Sequence, residues 1–285
     1  MSDASPTRRH LLLAAGAAAL TGAAACSRTT DDGAGAPTVT AGTSAGSPSA
    51  GSAASPAPGS AAGAAPGGAS TSASRSASGA ASPVAGPDIS RATSGRPEVA
   101  LTFHGTGDLA ILRRMLAEFA NAGAHVTVLA IGTWLAAEPQ VAKLVLDGGH
   151  DLGNHTWSHQ PMTALSAAAI RTEVERAAQE LRRLTGSAGR WFRPSGTPTS
   201  TPAIRQAAVN AGYGACLGYD VDPLDYTDPG PDAIVRAFQT MVRAGSIVSL
   251  HLGHQGTLTA MPRLLATLAD RELTAVTATH LLGNS

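Results

Sequence analysis

Gly148-Gly149-His150-Asp151-Leu152-Gly153-Asn154-His155-Thr156-Trp157-Ser158-His159 is the stretch on which the reading of this chain turns. Its first half is glycine-studded and strand-like. Its second half ends in a His-x-x-x-His pair. On a helix that spacing stacks both imidazoles on one face, where they can share a metal ion. The pair therefore falls where a strand ends and a helix is expected to begin, a common position for active-site residues in α/β folds.

Outward from this stretch, strand-like runs alternate with helical ones. Residues 99–103 and 126–131 read as strands, and between them Leu112, Met115, Leu116 and Phe119 recur at helical spacing up to Asn121-Ala122-Gly123. Val141, Leu144 and Val145 mark a helix closed by Gly148-Gly149, and Ile170, Val174, Ala177, Ala178 and Leu181 mark a longer one ending near Gly186. Residues 191–193 read as a short strand. Ile204, Ala207, Ala208 and Ala211 give a helix stopped by Gly212, and 215–217 a strand that buries Cys216. Ile234, Val235, Phe238, Met241 and Val242 are helical, 247–251 a strand, Leu264, Leu265 and Leu268 helical, and 275–278 the last strand. About seven β/α units predict a parallel sheet closed into an incomplete (β/α) barrel, an α/β fold. In such a barrel the groups that do chemistry sit at the C-terminal ends of strands. His104, His155, Arg193, the trio Asp220, Asp222 and Asp225, and His251 with His254 all follow strand-like runs, so they are expected to converge on one rim.

The rest of the chain is of another kind. Thr7-Arg8-Arg9-His10-Leu11-Leu12-Leu13 sets paired arginines before an alanine-rich apolar run reaching Ala25, an export signal of twin-arginine type too short to span a membrane comfortably. Ala23-Ala24-Ala25-Cys26 resembles a bacterial lipobox, with alanine where a larger aliphatic residue is usual; ordinary cleavage near Ala25 is the alternative. Lipidation at Cys26 would anchor the exported protein to the outer face of the cell membrane by apolar burial. Residues 27–95 are Ala, Gly, Ser, Pro and Thr with almost no large apolar side chain, the composition of a disordered tether. The expected organisation is therefore an export signal at 1–26, a tether at 27–95 and one folded domain at 96–285. The formal net charge is +0 and no basic stripe stands out, which argues against nucleic acid as the partner. With two cysteines, Cys26 and Cys216, no disulfide framework is expected.

The strand-end residues together resemble the motifs of the polysaccharide deacetylases, carbohydrate esterase family 4. The resemblance spans about residues 96–282. The family's second motif, H-[ST]-x-x-H, is met in full by His155-Thr156-Trp157-Ser158-His159. The third, R-P-x-[YF]-G, is met in part by Arg193-Pro194-Ser195-Gly196-Thr197, with glycine at the aromatic position. The fourth, D-x-x-D-W, reads Asp222-Pro223-Leu224-Asp225-Tyr226, and the fifth, L-x-H, keeps its His as His251. The resemblance implies a deformed (β/α) barrel that removes acetyl groups from chitin, peptidoglycan or xylan with a divalent metal. It implies His155 and His159 as metal ligands, Asp225 as the residue that orients His251, and His251 as the general acid. It also implies that Arg193 pairs with the base. The first motif departs from the family: T-F-D-D-G has become Thr102-Phe103-His104-Gly105-Thr106, so His104 stands at the base position and Gly105 at the position of the third ligand.

A catalytic Zn²⁺ needs a third protein ligand and an open position for water. Two candidates are in reach. Asp108 bends back through Gly105-Thr106-Gly107 in one arrangement, leaving His104 free as base with Arg193 beside it favouring the neutral ring. In the other, His104 completes a three-histidine site and Asp108 caps the helix that bears Leu112. Two functions follow. One is a zinc-dependent deacetylase of an acetylated glycan, with Asp108, His155 and His159 on the metal and His104, Arg193, Asp225 and His251 in catalysis. The other is an inactive, surface-anchored glycan-binding module on the same fold.

Overall fold

A computed structural model describes residues 86–283; the expected export signal and residues 27–85 of the expected tether lie outside the described residues. Five parallel strands form the sheet: β1 (Glu98–Gly105), β2 (Thr127–Ala130), β3 (Asp151–Asn154), β4 (Ile247–His251) and β5 (Thr274–Val276). Their order is β3-β2-β1-β4, with β5 paired to the start of β1. The helices are α1 (Leu109–Asn121), α2 (Gly132–Ala137), α3 (Gln140–Asp147), α4 (Ala167–Thr185), α5 (Pro202–Asn210), α6 (Pro231–Met241), α7 (Gln255–Asp270) and α8 (Ala278–Gly283).

β1 is the axis of the fold, and its sequence shows why. Residues 99–103 are wholly buried, as expected of a parallel strand covered on both faces. Alternation then sorts its side chains. Val99, Leu101 and Phe103 pack outward against Leu112, Met115 and Phe119 of α1, and Phe103 lies 5.3 Å from Phe119 between ring centroids. Ala100 packs inward with Leu129, Trp191, Leu217 and Ile247. The same period carries Thr102 and then His104 onto the inner face, in register with Ser249 and His251 of β4.

The barrel closes with less regular pairing than the periodicity predicts. Residues 191–193 and 215–217 form no ladder; the isolated parallel bridges Asn154↔Phe192, Phe192↔Cys216 and Val221↔Val248 carry the wall round to β4. Pro194 lacks an N–H and ends one segment, while Gly212, Gly214 and Gly218 interrupt the other. Cys216 is buried as expected. Ala278 begins α8 instead of ending a strand. The helix α2 was not foreshadowed by spacing. It turns directly off β2, and Gly132 at its start lies so close to Trp157 that an added Cβ would sit 2.4 Å from the indole.

The tether boundary at 95 also moves. Ile89 N–H donates to Cys216 O and Ala92 N–H to Gly245 O, both at 2.9 Å, and Ala92 is buried. Ile89 is a large aliphatic residue that gives this segment something to bury, so the folded part begins several residues before Pro97.

Candidate active site

Three imidazoles meet at the C-terminal rim. His104 is the penultimate residue of β1, His155 directly follows β3, and His159 lies in the loop beyond; one ligand atom from each falls within 4.8 Å of the others. Ring centroids are 4.2 Å apart for His104 and His155 and 4.9 Å for His155 and His159. His155 Nδ1 lies 3.0 Å from Arg193 O. A carbonyl only accepts, so Nδ1 carries the proton and Nε2 keeps its lone pair, the tautomer that a metal-binding histidine takes when a carbonyl orients it. The Nε2 atoms of His104 and His155 are both buried without a hydrogen-bond partner. A buried polar nitrogen without a partner is costly, and two beside a third imidazole fit a divalent ion with a preference for nitrogen.

Electrostatics point the same way. Burial holds His104 well below the ordinary histidine range, reinforced by His155 and Arg193. Burial likewise depresses His155, with His159 adding to it, and lowers His159, with His251 adding to it. Neutral rings have the lone pairs that coordination requires.

The His-x-x-x-His pair is not helical, which corrects the expectation from spacing. Thr156 and His159 both take left-handed backbone conformations, with φ 67° and 59°. Glu173 on α4 holds the turn: its carboxylate accepts from Trp157 N (3.0 Å), Ser158 N (2.8 Å) and Ser158 Oγ (2.7 Å). Asn154 accepts from Thr156 N at 2.8 Å and donates to Val174 O at 3.0 Å. Sequence reasoning missed Glu173, because a long-range contact leaves no local spacing to read.

Asp108 is the second correction. Its carboxylate accepts from Ala110 N at 2.5 Å and caps α1, so it stands outside the imidazole group, and His104 occupies the third position there. A free N-terminal N–H of α1 lies within reach of Asp108, and the cap satisfies it. Asp220 is the third correction. It accepts from Ile247 N at 2.9 Å, at the start of β4, and pairs with Arg243 at 3.2 Å, away from the rim.

The other predicted residues do converge. Asp225 is fully buried and accepts from His251 N (2.8 Å), His251 Nδ1 (2.8 Å) and Thr257 Oγ1 (2.6 Å). Thr257, on α7, is a further support that the motifs do not flag. His251 stands edge-on to His104, 4.3 Å between centroids. Arg193 is 1% exposed, with Nε donating to Leu217 O (2.8 Å) and Nη2 to Gly218 O (2.9 Å). Burial pulls its guanidinium down to about 9, partly offset by Tyr219 and Asp222, so it remains charged at neutral pH. His254 pairs with exposed Asp228 at 2.9 Å on the rim. Trp134 and Trp191 are core residues, and Trp157 lies under the Arg176 guanidinium at 3.9 Å. The aromatic rings that line the cleft are Tyr219 and Tyr226.

The cleft has two connected parts that share His104, His159, Tyr226 and His251. One, about 310 Å³, opens past Pro194, Tyr219 and Asp222; the other, about 420 Å³, runs along Gly107, Leu252 and His254. Together they suit a sugar-sized ligand. A larger hollow of about 470 Å³ lies between the end of α1 and α7, lined largely by alanine and leucine and remote from the histidines.

Comparison with known proteins agrees with this geometry. The polysaccharide deacetylase family description matches residues 91–216. A chitooligosaccharide deacetylase of Sinorhizobium fredii is 30% identical, covering 64% of this chain and 91% of its own. A peptidoglycan-N-acetylglucosamine deacetylase of Bacillus cereus is 28% identical over 65% of this chain and 87% of its own. A carbohydrate esterase family 4 pseudoenzyme of Bacillus anthracis shares the fold with a TM-score of 0.63, at 23% identity over 68% of each chain. With its histidine pair, its Asp225–His251 couple and a relative matched along nearly its whole length, the chain belongs to the polysaccharide deacetylase family, hydrolases of carbon–nitrogen bonds other than peptide bonds.

Proposed function

We propose that this domain removes acetyl groups from a cell-wall or other extracellular glycan, using a divalent metal held by His104, His155 and His159. The supporting observation is the set of three imidazoles with two buried, partnerless Nε2 atoms. An all-nitrogen donor set favours zinc. A bound zinc ion supplies Lewis-acid polarisation of the acetyl carbonyl and activation of water. Asp225 fixes the orientation of His251, leaving the far ring nitrogen to give a proton to the departing amine. Glu173 and Asn154 hold the loop that carries His159. Tyr219 and Tyr226 offer flat apolar faces to a sugar ring.

Zinc content and acetate release on acetylated chitooligosaccharides and peptidoglycan test this directly. The expected result is about one zinc per domain, abolished in His155→Ala, with acetate released only by the loaded protein. A second reading, the inactive glycan-binding module, is favoured by the loss of both first-motif carboxylates at His104 and Gly105. Glycan binding with background acetate release would select it. On the strength of residues 1–26 we also propose export and lipid anchoring through Cys26 to the outer face of the cell membrane. Cys26→Ser should then shift the protein from the membrane fraction to the medium, and retention would refute the anchor.

A further inference from the structure

Amide hydrolysis needs a group that takes the proton of the attacking water. The positions that would supply it are all occupied otherwise. His104 sits in the imidazole cluster, Gly105 has no side chain, Asp108 caps α1, and Asp225 is fully buried with its oxygens engaged by three donors.

One carboxylate remains. Among the residues lining both parts of the cleft, Asp222 is the only acidic side chain, and it shares its part with His104, His159, His251 and Ser249. We propose that Asp222, from the segment after the fifth predicted strand, is the general base that the first motif no longer provides. The assignment rests on the deacetylase reading above.

The surroundings of Asp222 fit the role. Its Oδ1 accepts from Leu224 N at 2.9 Å, which fixes the carboxylate without using its second oxygen. Tyr219 lines the same part of the cleft as Asp222. Arg193 is a buried cation for which no ion pair is formed among the described residues; its Nη1 has no partner, its Cζ lies 5.2 Å from the Tyr219 ring, and Asp222 is one of the two groups whose charge acts favourably on it. A buried guanidinium without an ion-pair partner favours negative charge in its neighbourhood. The base has thus moved to another strand end, and Arg193 still serves it.

The reaction then balances. The water oxygen bonds to the acetyl carbon as its proton passes to Asp222. The carbon–nitrogen bond breaks, its electron pair leaves on nitrogen, and that nitrogen takes a proton from His251. Acetic acid and the free amine depart, and the proton on Asp222 returns through solvent to His251.

The test uses the zinc-loaded protein with Asp222→Asn, Asp222→Glu and Asp222→Ala. Asn keeps the acceptor for Leu224 N, so folding and zinc content should match wild type while kcat falls on the order of 100-fold or more. KM should change little, and the acidic limb of the kcat–pH profile should disappear. Formate should restore part of the activity of Asp222→Ala but not of Asp222→Asn, whose amide still fills the site. Asp222→Asn with kcat within about threefold of wild type, or with a raised KM alone, overturns the assignment and leaves the deacetylase reading standing. A wild-type protein that binds zinc and releases no acetate overturns both.

Discussion

Gly105 is where this chain departs furthest from its family's motif, and its packing makes a quantitative prediction. It ends β1 paired with Ala130 of β2, and its carbonyl accepts from Ile131 N at 3.0 Å. A Cβ added there would lie 2.9 Å from Ala130 Cα, 3.0 Å from Val128 Cγ1 and 3.1 Å from Leu129 O. Two of those neighbours are backbone atoms of a buried strand and cannot swing aside. β1 and β2 would have to separate locally, at the overpacking cost of about 1–3 kcal/mol. Gly105→Ala isolates that cost. In a folded part of this size about 2 kcal/mol corresponds to a Tm lowered by roughly 4–8 °C. Gly105→Asp adds the desolvation of a carboxylate, so without metal it should be less stable than Gly105→Ala. Urea unfolding with and without chelator measures both. If Gly105→Ala unfolds within about 0.5 kcal/mol of wild type, the strands have room and packing does not explain the glycine. A full cost would mean that the family's carboxylate cannot be restored here without moving β2. That leaves His104 as the side chain β1 can offer at this end.

Three further outcomes are expected. Asp225→Ala strands three donors in a buried place and should cost about 3–5 kcal/mol in urea unfolding, whereas Asp225→Asn should cost less while still lowering kcat. Glu173→Gln should loosen the loop before His159, weakening zinc affinity about tenfold by competition with a chelator; unchanged affinity would show that the loop holds without it. His150 is 6% exposed, takes a hydrogen bond from Val126 N on Nδ1 at 3.2 Å, and is pushed down to about 4 by burial, with His125 adding to it. The unfolded chain therefore binds the extra proton first: the contribution of His150 is complete above about pH 6.5 and is lost as pH falls towards 4, on the order of 3 kcal/mol in all. His104 and His155, also depressed, act in the same direction in metal-free protein. Unfolding free energies from pH 7 to 4.5 should flatten in His150→Asn; an equally steep curve would locate the acid sensitivity elsewhere.

Local pattern made much of this fold legible. The buried run of β1, the helical spacing of Leu112, Met115 and Phe119, and the glycines after helices depend on near neighbours, and each appears where expected. The segments at 191–193 and 215–217 were harder. Their apolar character shows, but whether they form ladders or single bridges depends on partners far along the chain. Short α2 was hidden for the same reason, since its start is set by Trp157 packing on Gly132.

By itself the sequence determined the alternation of strands and helices, the family motifs, the strand ends that carry His104, His155, Arg193, Asp225 and His251, and the composition of residues 1–85, which lie outside the described residues. Only the tertiary structure decided how that rim is shared out. It turned the His155–His159 pair into a strained loop held by Glu173, sent Asp108 to cap α1 and Asp220 to the far end of β4, and set His104 among the imidazoles. The physical reason is that coordination and hydrogen bonding are decided by distance and direction between residues from different strands. Composition and spacing name the groups that arrive at a barrel rim, but a few ångströms of packing decide which of them meet.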